Sequence, residues 1–335
     1  MNKKSSYLYI AFILAVLAAV MLIGAHNGDF SASLRAMLGI PRRYTFACVL
    51  FVFGGIAMQA LSTFSALRTM GSALPFHKTL NVSLLGEFYS FITPGASGGQ
   101  PMQAVHLHKK GVPMGDATIA LVIHYICYHV ILLTMDVVLG LIYRAFVAIH
   151  VGASLVFLII GFLFNLCLVI GALMLSFYQR PIRWLLKQIT ALMERWHIGN
   201  PEGLREKFSA TADSFYRGMR LIAGHRAECA RQLLFAAGRL LCMSSVFCFI
   251  CRGLGQNSAG YGRLVTLGVM QYTSAGYTPL PGASGAQEGI FSLYFGRLLP
   301  GDLLLSGLLA WRFITYYLVL IVGGIAAVLS GRRQG

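Results

Sequence analysis

The chain is 335 residues long, 57% hydrophobic and only 11% charged, and it carries 27 Lys and Arg against 11 Asp and Glu for a net charge of +16. Soluble domains run at about 25% charged residues, and apolar stretches of about 20 residues recur here, so the pattern excludes a soluble globular protein and specifies a polytopic helical membrane protein. The positive charges lie scattered between apolar stretches rather than on one face, which argues against direct nucleic-acid binding and makes anionic lipid headgroups the natural counter-charge.

Taken in order, Lys3 and Lys4 precede an apolar run from Tyr7 to Ala25, longer than the usual secretory h-region and read as a retained first span. A connector with Arg35, Arg42 and Arg43 leads to a second span, Tyr44 to Leu67. From about Leu80 to Thr93 a helix too short to cross a bilayer runs into Pro94-Gly95, and the chain emerges at His106, His108, Lys109 and Lys110, as a re-entrant hairpin near 80–110 would. The third span is Ala117 to Tyr143 and the fourth Val151 to Tyr178.

Residues 179–232 form the one long polar segment. Basic residues alternate there with apolar ones such as Trp184, Leu185, Leu192, Trp196, Phe208 and Phe215, which reads as basic amphipathic helices at the membrane surface. The fifth span is Leu233 to Leu254. A short helix, Leu264 to Tyr277, then reaches a second Pro-Gly break, Glu288 to Leu299 returns from it, and the last span is Leu303 to Leu329. The expected fold is therefore all-α, a single membrane domain of about six full spans and two re-entrant broken-helix hairpins. Its halves, 1–178 and 233–335, flank the basic segment, with the second hairpin near 264–300.

The two breaks are near-copies. Pro94-Gly-Ala-Ser-Gly-Gly-Gln100 recurs as Pro281-Gly-Ala-Ser-Gly-Ala-Gln287, identical at six of seven positions. Lipid offers no hydrogen bonds, so broken backbone at depth survives only against protein or a water-filled cavity, and a duplicated break marks the binding site of a transporter built from inverted repeats. The Ser97…Gln100 and Ser284…Gln287 spacings suit capping boxes, and a positive φ is expected at Gly98 and Gly285. Candidate headgroup-binding and translocation residues are thus Pro94, Gly95, Ser97, Gly98, Gly99, Gln100, Pro281, Gly282, Ser284, Gly285 and Gln287.

Ionisable residues inside spans are costly and usually functional, which adds Glu87, Glu288, Arg239 and Arg312. Either the arginines hold an anionic headgroup bidentately and the glutamates neutralise them or bind a cationic one, or these are structural ion pairs. Asp136 and Arg144, two turns apart, read as packing. His124, Tyr125, Tyr128 and His129 read as a polar face of the third span. His106, His108, His124 and His129 fit no metal-ligand spacing, and neither metal nor cofactor is expected. Cys248 and Cys251 read as buried free thiols.

These motifs, with Phe91-Ile-Thr before the first, Pro279-Leu before the second and Arg312-Phe-Ile-Thr-Tyr-Tyr317 in the last span, make the chain resemble the membrane domain of the lysylphosphatidylglycerol synthase/flippase family, the multiple peptide resistance factors. The resemblance covers essentially the whole chain. It implies a bacterial-type cell-membrane protein handling anionic or lysylated phospholipid, a flippase-like translocase linked to cationic-peptide and antibiotic resistance. The alternative it implies is a phosphatidylglycerol lysyltransferase, or the membrane subunit of one acting with a separate synthase protein. Members with both activities carry a soluble lysyltransferase domain after the last span, where only Gly331 to Gly335 remain here, which weighs against transferase activity and leaves the enzyme assignment open. Many relatives have Glu at the position of Gln100, so no charge role is assigned there.

Placing both termini and the basic segment in the cytoplasm puts 18 Lys and Arg inside and seven outside, as the positive-inside rule requires. Single cysteines placed within 185–225 on a cysteine-free background should therefore resist impermeant labelling of intact cells. Strong labelling there would reverse the topology.

Overall fold

The computed structural model describes residues 30–178 and 215–332, together with positions 180, 184, 187–188, 190–193 and 203; the expected first span, Tyr7 to Ala25, lies outside the described residues, as does most of the basic segment. The regular elements among the described residues are all helical. Helix α1 (Phe30–Leu38) leads to α2 (Arg42–Thr69), and α3 (Phe76–Ile92) and α4 (Gly99–Lys109) flank the first break. Next come α5 (Met114–Ile142), α6 (Arg144–His150) and α7 (Leu155–Phe177). After a helical stretch at 215–224 follow α8 (Arg226–Gly253), α9 (Tyr261–Ala275), α10 (Ala286–Phe295), α11 (Asp302–Arg312) and α12 (Leu318–Arg332), the last two joined by a π-helical turn, Phe313–Tyr317.

Five segments among the described residues are long and apolar enough to cross a membrane: Arg42–Thr69, Met114–Ile142, Gly152–Phe177, Arg226–Gly253 and Leu303–Ser330. At about 1.5 Å per residue each exceeds the ~30 Å hydrocarbon core. They match the second to sixth expected spans, and the chain is an all-α, polytopic membrane protein. Pro41, Pro75 and Pro113 stand immediately before α2, α3 and α5. A helix start has no use for the N–H that proline lacks, so these prolines mark the starts. The α7 surface shows why lipid is needed: Phe157, Ile160, Leu163, Phe164 and Ile170 all lie exposed on it, an apolar face that water would not tolerate.

The spans pack closely. Helix α8 lies along α2, and α5 and α9 pack against α8. Glycines permit this, as expected of membrane helices. A Cβ at Gly161 would stand 2.1 Å from the Thr273 carbonyl oxygen, and one at Gly323 would stand 2.8 Å from the Phe88 Cβ. The second hairpin is clamped by an aromatic stack: Phe247 lies 5.0 Å from Phe295, and Phe291 5.5 Å from Trp311. Cys248 and Cys251 are buried free thiols in that cluster.

Several expected boundaries move. Helix α8 begins at Arg226 rather than Leu233, because Glu228 and Gln232 are fully buried and bond across to α2. The helix carrying Asp136 ends at Ile142, so Arg144 starts a separate helix and is exposed; Asp136 instead accepts a hydrogen bond from the Thr273 hydroxyl at 2.5 Å. At 215–224, Tyr216, Met219 and Ile222 are buried while Arg217 and Arg220 are exposed, the amphipathic pattern expected of the basic segment.

Gly161→Ala should destabilise the purified protein by at least ~1–3 kcal/mol, because backbone must move to admit the methyl group. Gly171 has open space at its Cβ position, so Gly171→Ala should be neutral or stabilising by up to ~1 kcal/mol. Melting temperatures in detergent decide; equal effects would mean that Gly161 is not a contact point.

Candidate functional site: the junction of two broken hairpins

Proline ends both incoming arms in the same way. Thr93 and Leu280, the residues before Pro94 and Pro281, are extended, with ψ of 144° and 149°, as the proline ring demands of its predecessor. Two left-handed residues follow in each copy: Gly95 and Ala96 at φ of 59° and 55°, Gly282 and Ala283 at 59° and 50°. Left-handed alanine costs roughly 1–2 kcal/mol, and both copies bear that cost at the same place. The turns share their hydrogen bonds as well. Ala96 N donates to Thr93 O and Ser97 N to Pro94 O; Ala283 N donates to Leu280 O and Ser284 N to Pro281 O. Each chain then reverses, and α3 packs on α4 as α9 does on α10.

Beyond the alanines the copies diverge. Ser97 is helical, while Ser284 is extended with ψ of 142°. Gly98 has φ of −82°, so the expected positive φ is absent there; Gly285 has it, at 87°. The expected Ser…Gln capping boxes do not form, because glycine, not serine, occupies each N-cap. Thr93 Oγ1 accepts from the Gly98 N–H at 2.9 Å, and Glu288 Oε2 accepts from the Gly285 N–H at 2.6 Å. Pro101 sits third in α4, within the first turn, where its missing N–H costs nothing.

The two turns meet. A Cβ on Gly95 would lie 3.9 Å from Pro279 Cα, and the two Pro-Gly-Ala turns pack on one another. The last span ties them together from the π-helical turn. Tyr316 donates its hydroxyl to the Phe91 carbonyl at 3.3 Å, satisfying an acceptor that the break in α3 leaves free, and its ring covers Gly282 so closely that a Cβ there would stand 2.3 Å away.

Each glutamate carries an arginine. Arg312 Nε donates to Glu288 Oε1 at 2.6 Å and Nη1 to the Gly282 carbonyl at 3.3 Å, with the guanidinium 5.1 Å from the Trp311 ring and 5.4 Å from the Tyr316 ring. Its Nη2 is buried with no partner. In the first half Arg239 Nη2 donates to Glu87 Oε1 at 2.7 Å, Nη1 donates to Gln59 Oε1, and the guanidinium lies 5.7 Å from the Tyr128 ring. The glutamates thus neutralise the arginines. Of the remaining candidates, Pro94, Gly95, Ser97, Gln100 and Gly285 are exposed and Gly99 is buried. Ser284 Oγ donates to Pro281 O, and Gln287 is held from α9 by Gln271 Nε2, which donates to its backbone and side-chain oxygens at 2.7 and 3.0 Å.

Sequence reasoning missed a second polar cluster linking α2, α5 and α8, made of Gln59, Ser62, Ser65, Thr69, His124, Glu228 and Gln232. Its signal was present as spacing: three, three and four residues between successive polar positions on α2, and four between Glu228 and Gln232, each set lying on one helical face.

A sequence model of the family described as the lysylphosphatidylglycerol synthase TM region matches residues 8–323. No curated protein matches the chain.

Removing either partner of the Arg312–Glu288 pair strands the other in a poorly solvated site. Arg312→Ala and Glu288→Ala should each cost ~3–5 kcal/mol, and the double variant should lose less than the sum by ~0.5–3 kcal/mol. Thermal unfolding of the four purified forms measures this, and strict additivity would show that the pair is not coupled.

Proposed function

We propose that this chain, which belongs to the lysylphosphatidylglycerol synthase transmembrane family, is a lipid translocase that passes the headgroup of an anionic or aminoacylated phospholipid, such as lysylphosphatidylglycerol, between leaflets. The observation that carries the reading is the meeting of two Pro-Gly-Ala turns, the second held by the Glu288–Arg312 pair, with another pair, Glu87–Arg239, on the helix that leads into the first. Among the described residues three spans, α5, α7 and α8, lie between the two hairpins. An odd number of crossings supports hairpins that dip from opposite faces, as inverted repeats arrange a midplane site.

The chemistry suits such a headgroup. Arg312 Nη2 is a buried donor awaiting an acceptor, and a phosphate oxygen is the strongest acceptor a membrane lipid offers. Glu87 and Glu288 match the ammonium groups of a lysylated headgroup, and exchanging each intramolecular pair for a headgroup contact conserves charge compensation throughout passage. In this reading the protein sits in a bacterial-type cell membrane with both termini in the cytoplasm. A lysyltransferase activity, or assistance to a separate synthase, is the second reading, favoured by the family's description. Purified protein incubated with lysyl-tRNA and phosphatidylglycerol separates the two, since labelled lysyl-lipid would establish the second.

Gly95→Val and Gly285→Val force a β-branched residue to φ of 59° and 87°, which such residues rarely adopt. Each should reduce outer-leaflet exposure of the lipid at least tenfold, normalised to protein in the membrane. Arg312→Lys should keep part of the activity, because charge survives while the fork is lost. Normal exposure in both glycine variants would reduce the repeated phrase to a packing turn.

A further inference from the structure

We propose that His124 is an intramembrane proton-binding site linked to the binding of a phosphodiester headgroup beside Arg239, so that anion and proton enter the bundle together. The inference rests on the headgroup reading above, and its geometry comes from the missed polar cluster.

The direction of every hydrogen bond in that cluster is determined. Glu228, fully buried, accepts at Oε2 from Ser65 (2.9 Å), Thr69 (3.1 Å) and Arg231 (2.7 Å), and at Oε1 from Gln232 Nε2 (2.7 Å). The same Nε2 gives its other hydrogen to the Ser62 carbonyl at 2.9 Å. The amide oxygen of Gln232 therefore faces Ser62 Oγ and takes its only proton. With that proton committed, Ser62 Oγ meets His124 Nδ1, 2.9 Å away, only as an acceptor. Nδ1 must carry hydrogen, and the neutral ring keeps its lone pair on Nε2.

Arg239 opposes that charge. Gln59 and Ser62 stand three residues apart on α2, one bonded to Arg239 and the other to His124. The Tyr128 ring adjoins both, 5.7 Å from the guanidinium and 6.3 Å from the imidazole. The other groups in this environment are Glu228 of α8, Glu87 of α3 on Arg239, His129 of α5 with Tyr125 against it, Asp136 of α5 near Tyr128, and Tyr272 of α9. Helix α7 carries no charged residue, and α2 offers only uncharged Gln59 and Ser62 at this level. An anion without an ammonium group that joins Arg239 while Glu87 stays beside it adds negative charge there, so it raises the proton affinity of Nε2, and the proton must raise the affinity for the anion by the same factor.

Calorimetric titration of the detergent-purified full chain tests this. Dihexanoyl phosphatidylglycerol is titrated in buffers of different ionisation enthalpy, with dimethyl phosphate as a second arm; neither probe titrates near neutrality. About one proton should be taken up per phosphatidylglycerol, with affinity falling about tenfold per pH unit above the titration of the site. Uptake with both probes would assign recognition to the phosphodiester itself, and uptake with the lipid alone would assign it to the membrane-held headgroup; either supports the linkage. His124→Asn keeps an N–H for Ser62 but cannot titrate, so it should bind without proton uptake and without pH dependence. Retained uptake in that variant overturns the proposal. So does pH-independent binding by the unmodified protein, a measurement that needs no variant and leaves the headgroup reading standing. Absence of binding by either probe overturns both.

Discussion

The constraint on which this structure depends is that a helix broken at a Pro-Gly turn frees backbone groups that lipid cannot satisfy. Both breaks hand some of those groups to protein atoms, each by a different device. Thr93 closes the start of α4 from within its own hairpin, and Glu288 closes the start of α10. The second closure makes the carboxylate a structural acceptor and the partner of Arg312 at once. Tyr316 then reaches from the last span to a carbonyl of the first hairpin. The phrases lie 187 residues apart in the chain, yet they share one set of supports.

Those supports explain why the π-helical turn falls where it does. Phe313–Tyr317 widens the last span by one residue just beyond Arg312, and such bulges commonly re-aim functional side chains. Here Arg312, Tyr316 and Tyr317 are all buried at the junction. Gly323 lets α12 close on Phe88, so the span that carries Arg312 is also packed against the arm that precedes the first break.

Much of the architecture was legible because it follows from hydropathy and from proline. Apolar length marks the spans, and Pro94 and Pro281 cannot continue a helix wherever they sit. The Glu87–Arg239 and Glu288–Arg312 pairings were legible as one of two alternatives, since buried charges must find partners. The capping partners were not. The Ser…Gln spacing presumes serine at the N-cap, and glycine displaced it by one residue, which passed the role to Thr93 and Glu288. The start of α8 was hidden for a related reason: Glu228 and Gln232 count as loop residues in a hydropathy scan, and only a facing helix bearing Ser62, Ser65 and Thr69 makes their burial tolerable. The partners of isolated serines and glutamines cannot be read until it is known which helix faces which.

The energetics of the two ion pairs argue that their charge serves more than cohesion. Both are poorly solvated, with side-chain exposures of 15% and 12% for Arg239 and Glu87 and of 6% and 22% for Arg312 and Glu288. Pairs so placed roughly break even against well-packed apolar residues of the same size, and the aromatic stack of Phe247, Phe291, Phe295 and Trp311 shows that this bundle packs such residues closely. A bundle selected only for stability had that solution available at both pairs. It holds a carboxylate and a guanidinium instead, with one guanidinium nitrogen left without a partner. An unsatisfied buried donor costs ~1–3 kcal/mol, more where it is charged, a cost that the phosphate oxygen of the proposed headgroup would offset.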